Sequence, residues 1–155
     1  MISASWKNIA ELIGMVAIVG SLILVAYELR QSTAVSTAQA VSELNTAIDS
    51  AYRSRAQNAE LDELVGDGHS DPDKLSEREK SQFFSWLRAD MNLIEAAWFY
   101  YDNGIIPERK FDGYKGAACS RVTTPGGKEY WAAEAMFFAS DFRESIEMWC
   151  FSANK

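Results

Sequence analysis

An uncharged apolar run near the start of the chain constrains the fold more than any other feature. Residues 12–27 read LIGMVAIVGSLILVAY, and Ser21 is the only polar side chain among them. As a helix this run covers about 24 Å, somewhat less than the roughly 30 Å hydrocarbon core of a bilayer. The flanks lengthen it, because only two glutamates carry charge between Lys7 and Arg30. The run therefore predicts a single transmembrane helix.

Aromatic residues at both ends of the run support this interpretation. Trp6 and Tyr27 lie 21 positions apart, which is about 32 Å along a helix and matches the spacing of membrane-interface anchors. Two alternatives stay open. One is a cleaved signal peptide, although the A-x-A sequence at 38–40 lies far beyond the run. The other is a buried core helix of a soluble protein, since the run is short for a span.

One face of this helix has heptad spacing, and its first four members are small. Small residues in one stripe let two helix backbones approach closely in lipid, where packing drives association. We therefore expect self-association through this seam, with its glutamate and glutamine as polar contacts at one end. The seam consists of Ala10, Gly14, Ala17, Ser21, Leu24, Glu28 and Gln31.

The remainder of the chain predicts helices and no strands, because no segment alternates apolar and polar residues. No Gly or Pro interrupts residues 22–64, so the first helix is expected to continue out of the membrane, with a short interruption near Ser32 and Thr33. The expected fold class is all-α: an N-terminal transmembrane helix (1–30) that extends into a small helical bundle (31–155).

Glycine and proline mark the expected loops. Residues 66–73 (GDGHSDPD) predict a solvated loop with His69 at the surface, and residues 124–127 predict a turn. Between these loops and the C-terminus, we expect a helix over 128–139 with Trp131, Met136 and Phe137 inside. Ser140 and Asp141 offer an N-cap for a last helix that is expected to run through about Phe151.

The strongest helix signal outside the apolar run starts at Ser76. With Glu79 it forms a capping box, and Gly104 is the expected C-terminal stop. Aromatic residues make the last turns of this helix apolar nearly all round, which predicts burial on more than one side. These residues form a candidate interface with a neighbouring subunit or a candidate ligand pocket: Trp98, Phe99, Tyr100 and Tyr101.

Charge and composition narrow the possible functions. The net charge is −7, which disfavours nucleic acid as a partner because such partners require a basic surface. The single histidine leaves no His-rich metal site, and Cys119 and Cys150 lack metal-binding or redox spacing. They form a disulfide if the domain faces an oxidising compartment, or else remain buried thiols. No catalytic motif, metal ligand set or cofactor is predicted.

Three stretches together resemble a loose group of small uncharacterised bacterial single-span membrane proteins. They are YELRQST at 27–33, DPDKLSEREKSQFFSWLR at 71–88 and YYDNGIIPERKF at 100–111. The group carries a Q-[IV]-R-Q-N-T-like motif after its anchor helix, and this chain departs from it at Glu28 and Ser32. The resemblance implies a single-span architecture and implies no activity. The expected location is the cell inner membrane, crossed once.

The sequence thus favours a membrane-anchored helical interaction protein, either an accessory subunit or an oligomeric scaffold without catalytic activity. Its expected partners are membrane lipid and further protein chains, most simply copies of itself. Flanking charges do not settle the membrane orientation. The alternatives are a membrane-tethered ligand sensor with an aromatic pocket, and an enzyme of unrecognised type.

Overall fold

A computed structural model describes the backbone of residues 4–152 and the side chains of residues 11–152. It is all-α, as the sequence predicts, and contains no strand within the described range. The six α-helices are α1 (Ala4–Gln57), α2 (Ala59–Ser70), α3 (Glu77–Asp102), α4 (Glu108–Val122), α5 (Pro125–Glu134) and α6 (Ser140–Ile146). Short helical turns at Pro72–Lys74, Ala135–Phe137 and Glu147–Phe151 complete the chain.

Helix α1 has 54 residues and corresponds to about 80 Å of rise. It is continuous, so the interruption expected near Ser32 and Thr33 is wrong. The Thr33 hydroxyl donates to the Leu29 carbonyl and the Thr37 hydroxyl to the Thr33 carbonyl, each at 2.9 Å. Both hydroxyls thus have hydrogen-bond partners within the helix. By internal contacts the chain divides into two compact units, one ending at Gln39 and the other starting at Ala40.

The described part of the first unit is helical and buries none of its apolar run. An 18-residue window has a mean hydropathy of 2.2 and is 0% buried, so this helix is long and apolar enough to cross a membrane. The large apolar side chains between Leu12 and Leu29 are 50–67% exposed.

The second unit is a helical bundle around one core, and α3 supplies much of it. The capping box is present: the Ser76 backbone N–H donates to Glu79 Oε2 at 2.8 Å, and the Glu79 N–H donates to Ser76 Oγ at 3.4 Å. The helix ends where Gly104 takes a φ of 68°, a left-handed conformation that glycine adopts without strain. Its buried face consists of Phe83, Leu87, Met91, Ile94 and Ala97.

Two glycine pairs that predict loops lie inside helices instead. Helix α2 continues through Gly66 and Gly68 to Ser70, and α5 begins at Pro125 and includes Gly126 and Gly127. The predictions of a loop at 66–70 and of a turn at 124–127 are therefore wrong. The physical reason is a close approach, since a Cβ on Gly126 would overlap the Gly68 carbonyl oxygen and a Cβ on Gly68 would overlap the Phe83 ring.

The expected helix over 128–139 ends early, at Glu134. Trp131 is buried, as expected, and donates its indole N–H to Glu147 Oε1 at 2.7 Å. Met136 and Phe137 were expected inside but are 72% and 62% exposed, because the tighter turn Ala135–Phe137 rotates them away from the core. Helix α6 then starts at Ser140, and helical turns continue through Phe151, as predicted. Its N-cap is Ala139, which makes no side-chain cap hydrogen bond, so the cap predicted at Ser140 or Asp141 is wrong.

Candidate functional site

The seam of the first unit is open along its described length. Gly14, Ala17, Ser21 and Glu28 are all exposed, and a Cβ on Gly14 would meet nothing within 4 Å. The Ser21 hydroxyl donates to the Ala17 carbonyl at 2.9 Å, so Ser21 contributes its small size to the seam rather than a spare hydrogen-bond donor.

The two membrane-interface anchors differ in what the structure describes. Tyr27 is 67% exposed, as an interface anchor would be before lipid covers it. The side chains of Ala10, in the seam, and Trp6, the other anchor, lie outside the described residues.

The four aromatic residues at the end of α3 do not line one cavity. Tyr101 stacks on Phe111 with ring centres 4.7 Å apart and an interplanar angle of 5°. Trp98 is half-buried, with its ring centre 5.7 Å from that of Phe142. Phe99 is 55% exposed, and Tyr100 lies beside it. The helix is thus covered on two sides by its own domain while Phe99 remains outside.

Phe99 borders a shallow groove of about 560 Å³ whose other wall carries Phe137. Above Phe137, the Arg88 guanidinium lies 4.4 Å from the ring centre and also pairs with Glu134. Aromatic residues, methionine and arginine are the residue types enriched at protein interfaces. We call this region the Phe99–Phe137 surface; it consists of Arg88, Trp98, Phe99, Tyr100, Met136 and Phe137.

A polar cluster around His69 lies elsewhere in the bundle. His69 was expected at the surface of a loop, but it is half-buried at the end of α2 with Phe83 and Trp86 against it in edge-to-face geometry. Its Nδ1 lies 3.0 Å from Thr124 Oγ1. The Thr124 hydroxyl already donates its proton to the Arg121 carbonyl at 2.8 Å, so the histidine must donate. The neutral ring therefore carries its proton on Nδ1.

Burial and two cations keep this imidazole neutral. Desolvation, followed by the charges of Arg121 and Arg55, lowers the pKa of His69 to about 4. Arg121 pairs with Asp90, and both side chains are largely buried. Burial raises the pKa of Asp90 against the attraction of that arginine. The cluster is thus a packed and mostly paired network.

A second recess lies beside this network, between α3, α4 and the part of α1 that belongs to the bundle. It measures about 270 Å³. On α4 its lining follows helical spacing from Lys110 through Gly113, Tyr114 and Ala117 to Arg121. Sequence analysis missed these residues because the stripe mixes a charge, a glycine and an aromatic. These residues line one recess only because α1 and α3 pack beside this face of α4.

Cys119 and Cys150 form a disulfide, with Cα atoms 4.9 Å apart. The bond links α4 to the last helical turn across 31 residues of sequence. The sequence left this pairing open, because it depends on how two distant segments pack. Among the described residues, no group of three or more His, Cys, Asp or Glu side chains is placed to hold a metal ion.

Comparison with protein-family models, with curated proteins and with solved structures finds no match for this chain. The resemblance to small bacterial single-span proteins therefore stays an expectation from the sequence.

Proposed function

We propose that this protein is a membrane-anchored helical interaction protein that assembles with a second copy of itself. The observation that carries the proposal is the apolar run of α1, whose large side chains are 50–67% exposed and which has no protein cover in the described chain. Each methylene moved out of water is worth about 0.8 kcal/mol, so a run of this length requires a cover. A bilayer supplies one for every face of the helix at once.

The disulfide supports a membrane orientation that charge alone leaves open. Disulfides persist in oxidising compartments and are rare in the cytosol. With Cys119 paired to Cys150, the bundle belongs on the oxidising side of the membrane. For a protein of the bacterial inner membrane that side is the periplasm, which puts the N-terminus of the span in the cytoplasm.

The Phe99–Phe137 surface supports the choice of a protein partner. Phe99, Met136 and Phe137 are each more than half exposed, and adjacent apolar side chains of this size on a bundle's surface mark interaction sites. The open groove between them suits an inserted side chain better than an enclosed small molecule.

A second copy is the partner that the anchor favours. The small-residue seam of Gly14, Ala17 and Ser21 fits a close contact between two identical spans. Two chains joined through their spans hold their bundles at high effective concentration, so that even a weak contact at the Phe99–Phe137 surface forms. The seam and the surface therefore favour a homo-oligomeric scaffold over an accessory subunit.

The test is the mass of the full chain in lipid nanodiscs or mild detergent, measured by native mass spectrometry. We expect a homo-oligomer, and we expect Phe137→Glu to weaken it while the protein stays helical by circular dichroism. Met148→Glu is the matched control, because Met148 is 61% exposed and lies outside that surface. A wild-type monomer, or equal effects of the two substitutions, would contradict self-assembly through this surface.

A further inference from the structure

We propose that the recess between α1, α3 and α4 is a binding site for a small carboxylate ligand with an apolar body. At about 270 Å³ it lies just below the roughly 300–1000 Å³ of typical ligand pockets, which restricts it to small molecules. It shares no lining residue with the Phe99–Phe137 surface. The proposal therefore goes beyond self-assembly and does not depend on it.

The walls of the recess are apolar and come from all three helices. Ile48 on α1, Leu93 and Ile94 on α3 and Ala117 on α4 line it. Ile94 is 3% exposed and belongs to the core, so this wall is fixed by the packing of the bundle. Apolar walls with a few convergent polar groups are the usual composition of a small-molecule site.

Two polar groups of α4 in this recess lack partners among the described residues. The Lys110 ammonium makes no ion pair or hydrogen bond there, although six other cations of the bundle do. The Tyr114 hydroxyl likewise makes no hydrogen bond with any described group, and its oxygen is not among the fully buried polar atoms. One helical turn separates the two residues, so they lie on the same face of α4.

The charge of the lining selects the ligand. Asp90 and Arg121 neutralise each other, which leaves the Lys110 charge unbalanced. The recess thus has a net charge of +1 in a protein whose net charge is −7. An ammonium and a phenol both donate to a carboxylate, and such charge-assisted hydrogen bonds are about twice as strong as neutral ones. A small carboxylate with an aliphatic or aromatic body satisfies both the charge and the walls.

Two glycines of α4 provide a matched pair of variants. Gly113 lines the recess, Gly116 does not, and a Cβ on either would meet nothing within 4 Å. Gly113→Leu therefore fills the recess without displacing the fold, and Gly116→Leu adds the same side chain outside it. Lys110→Met removes the charge and keeps the length of the side chain.

In the experiment, hexanoate and its neutral analogue hexanamide are titrated into the full chain in nanodiscs. Binding is measured by saturation-transfer NMR, and the signal from empty nanodiscs is subtracted. We expect saturable hexanoate binding that Lys110→Met weakens about tenfold, with little change for hexanamide. We expect Gly113→Leu to abolish hexanoate binding and Gly116→Leu to retain it.

The proposal is overturned if the wild-type protein shows no saturable binding of hexanoate. It is also overturned if Gly116→Leu loses binding as Gly113→Leu does, or if Lys110→Met weakens both probes equally. Because ligand binding is read by NMR and assembly by native mass, failure of this proposal is distinguishable from failure of self-assembly.

Discussion

His69 donates its Nδ1 proton to the hydroxyl oxygen of Thr124 across 3.0 Å, although 55 residues separate them in the chain. Thr124 is also the N-cap of α5, where its hydroxyl accepts from the Gly127 N–H at 3.0 Å. One histidine thus fixes the end of α2 against the start of α5. Both the neutral and the protonated ring carry this proton, but burial and the charges of Arg121 and Arg55 disfavour the protonated ring, which makes the stability of the bundle sensitive to pH.

The first prediction concerns acid. The pKa of His69 is lowered to about 4 in the folded protein, from 6.5. Between these pH values the unfolded chain binds more protons at His69 than the folded chain does. The free energy of unfolding therefore has its full value above pH 6.5 and decreases as the pH falls toward 4. Because the ring is partly exposed, we expect a loss of about 1–2 kcal/mol rather than the full shift. Denaturant unfolding followed by tryptophan fluorescence measures it.

His69→Gln is the control for this prediction, because glutamine keeps a donor and does not titrate. The difference in free energy of unfolding between wild type and His69→Gln is expected to shrink as pH falls through this interval. A difference independent of pH would show that the histidine is not held neutral.

The second prediction compares two glycines. Gly126→Ala places a methyl group against the Gly68 carbonyl, and we expect a loss of about 1–3 kcal/mol in unfolding free energy. Gly66→Ala, in α2 with nothing within 4 Å, should gain about 0.5–1 kcal/mol from helix propensity. Thermal unfolding of both variants checks the signs, and a gain in both would contradict the close approach of α2 and α5.

The third prediction concerns the disulfide. Replacing Cys119 and Cys150 together with serine should lower the free energy of unfolding by about 2–4 kcal/mol, because the bond restricts the unfolded chain. Protein isolated without reductant should show no alkylation by maleimide after unfolding. Full alkylation would contradict both the bond and the oxidising location of the bundle.

The fourth prediction concerns the seam. Gly14→Leu with Ala17→Leu should weaken association of the spans by about 1 kcal/mol or more, since bulk prevents the close approach of backbones. Val16→Leu with Val19→Leu adds bulk off the stripe and should do little. Energy transfer between labelled chains in bilayers measures the association, and equal effects of the two pairs would remove the seam from the interface.

The fifth prediction concerns the anchor. The full chain should stay with membranes through a carbonate wash, and a fragment that begins at Gln31 should need no detergent. The reason is that the exposed apolar run ends before this residue. Recovery of the full chain from the soluble fraction would contradict membrane anchoring.

Local patterns determined most of the helical architecture. The all-α class, the long apolar helix, the capping box at Ser76 and the stop at Gly104 all follow from residues within a few turns of one another. Such signals depend on backbone capping and helical periodicity, which a single segment expresses by itself.

Tertiary packing decided what the same residues do when a distant segment meets them. The sequence pattern at Gly68 and Gly126 predicts loops, but in the structure these glycines permit close contact between two helices. Loops and close helix contacts both favour glycine because it has no side chain. The burial of His69, the pairing of Cys119 with Cys150 and the recess at Lys110 each join segments far apart in the chain. Their chemistry depends on non-local neighbours, which local sequence patterns do not specify.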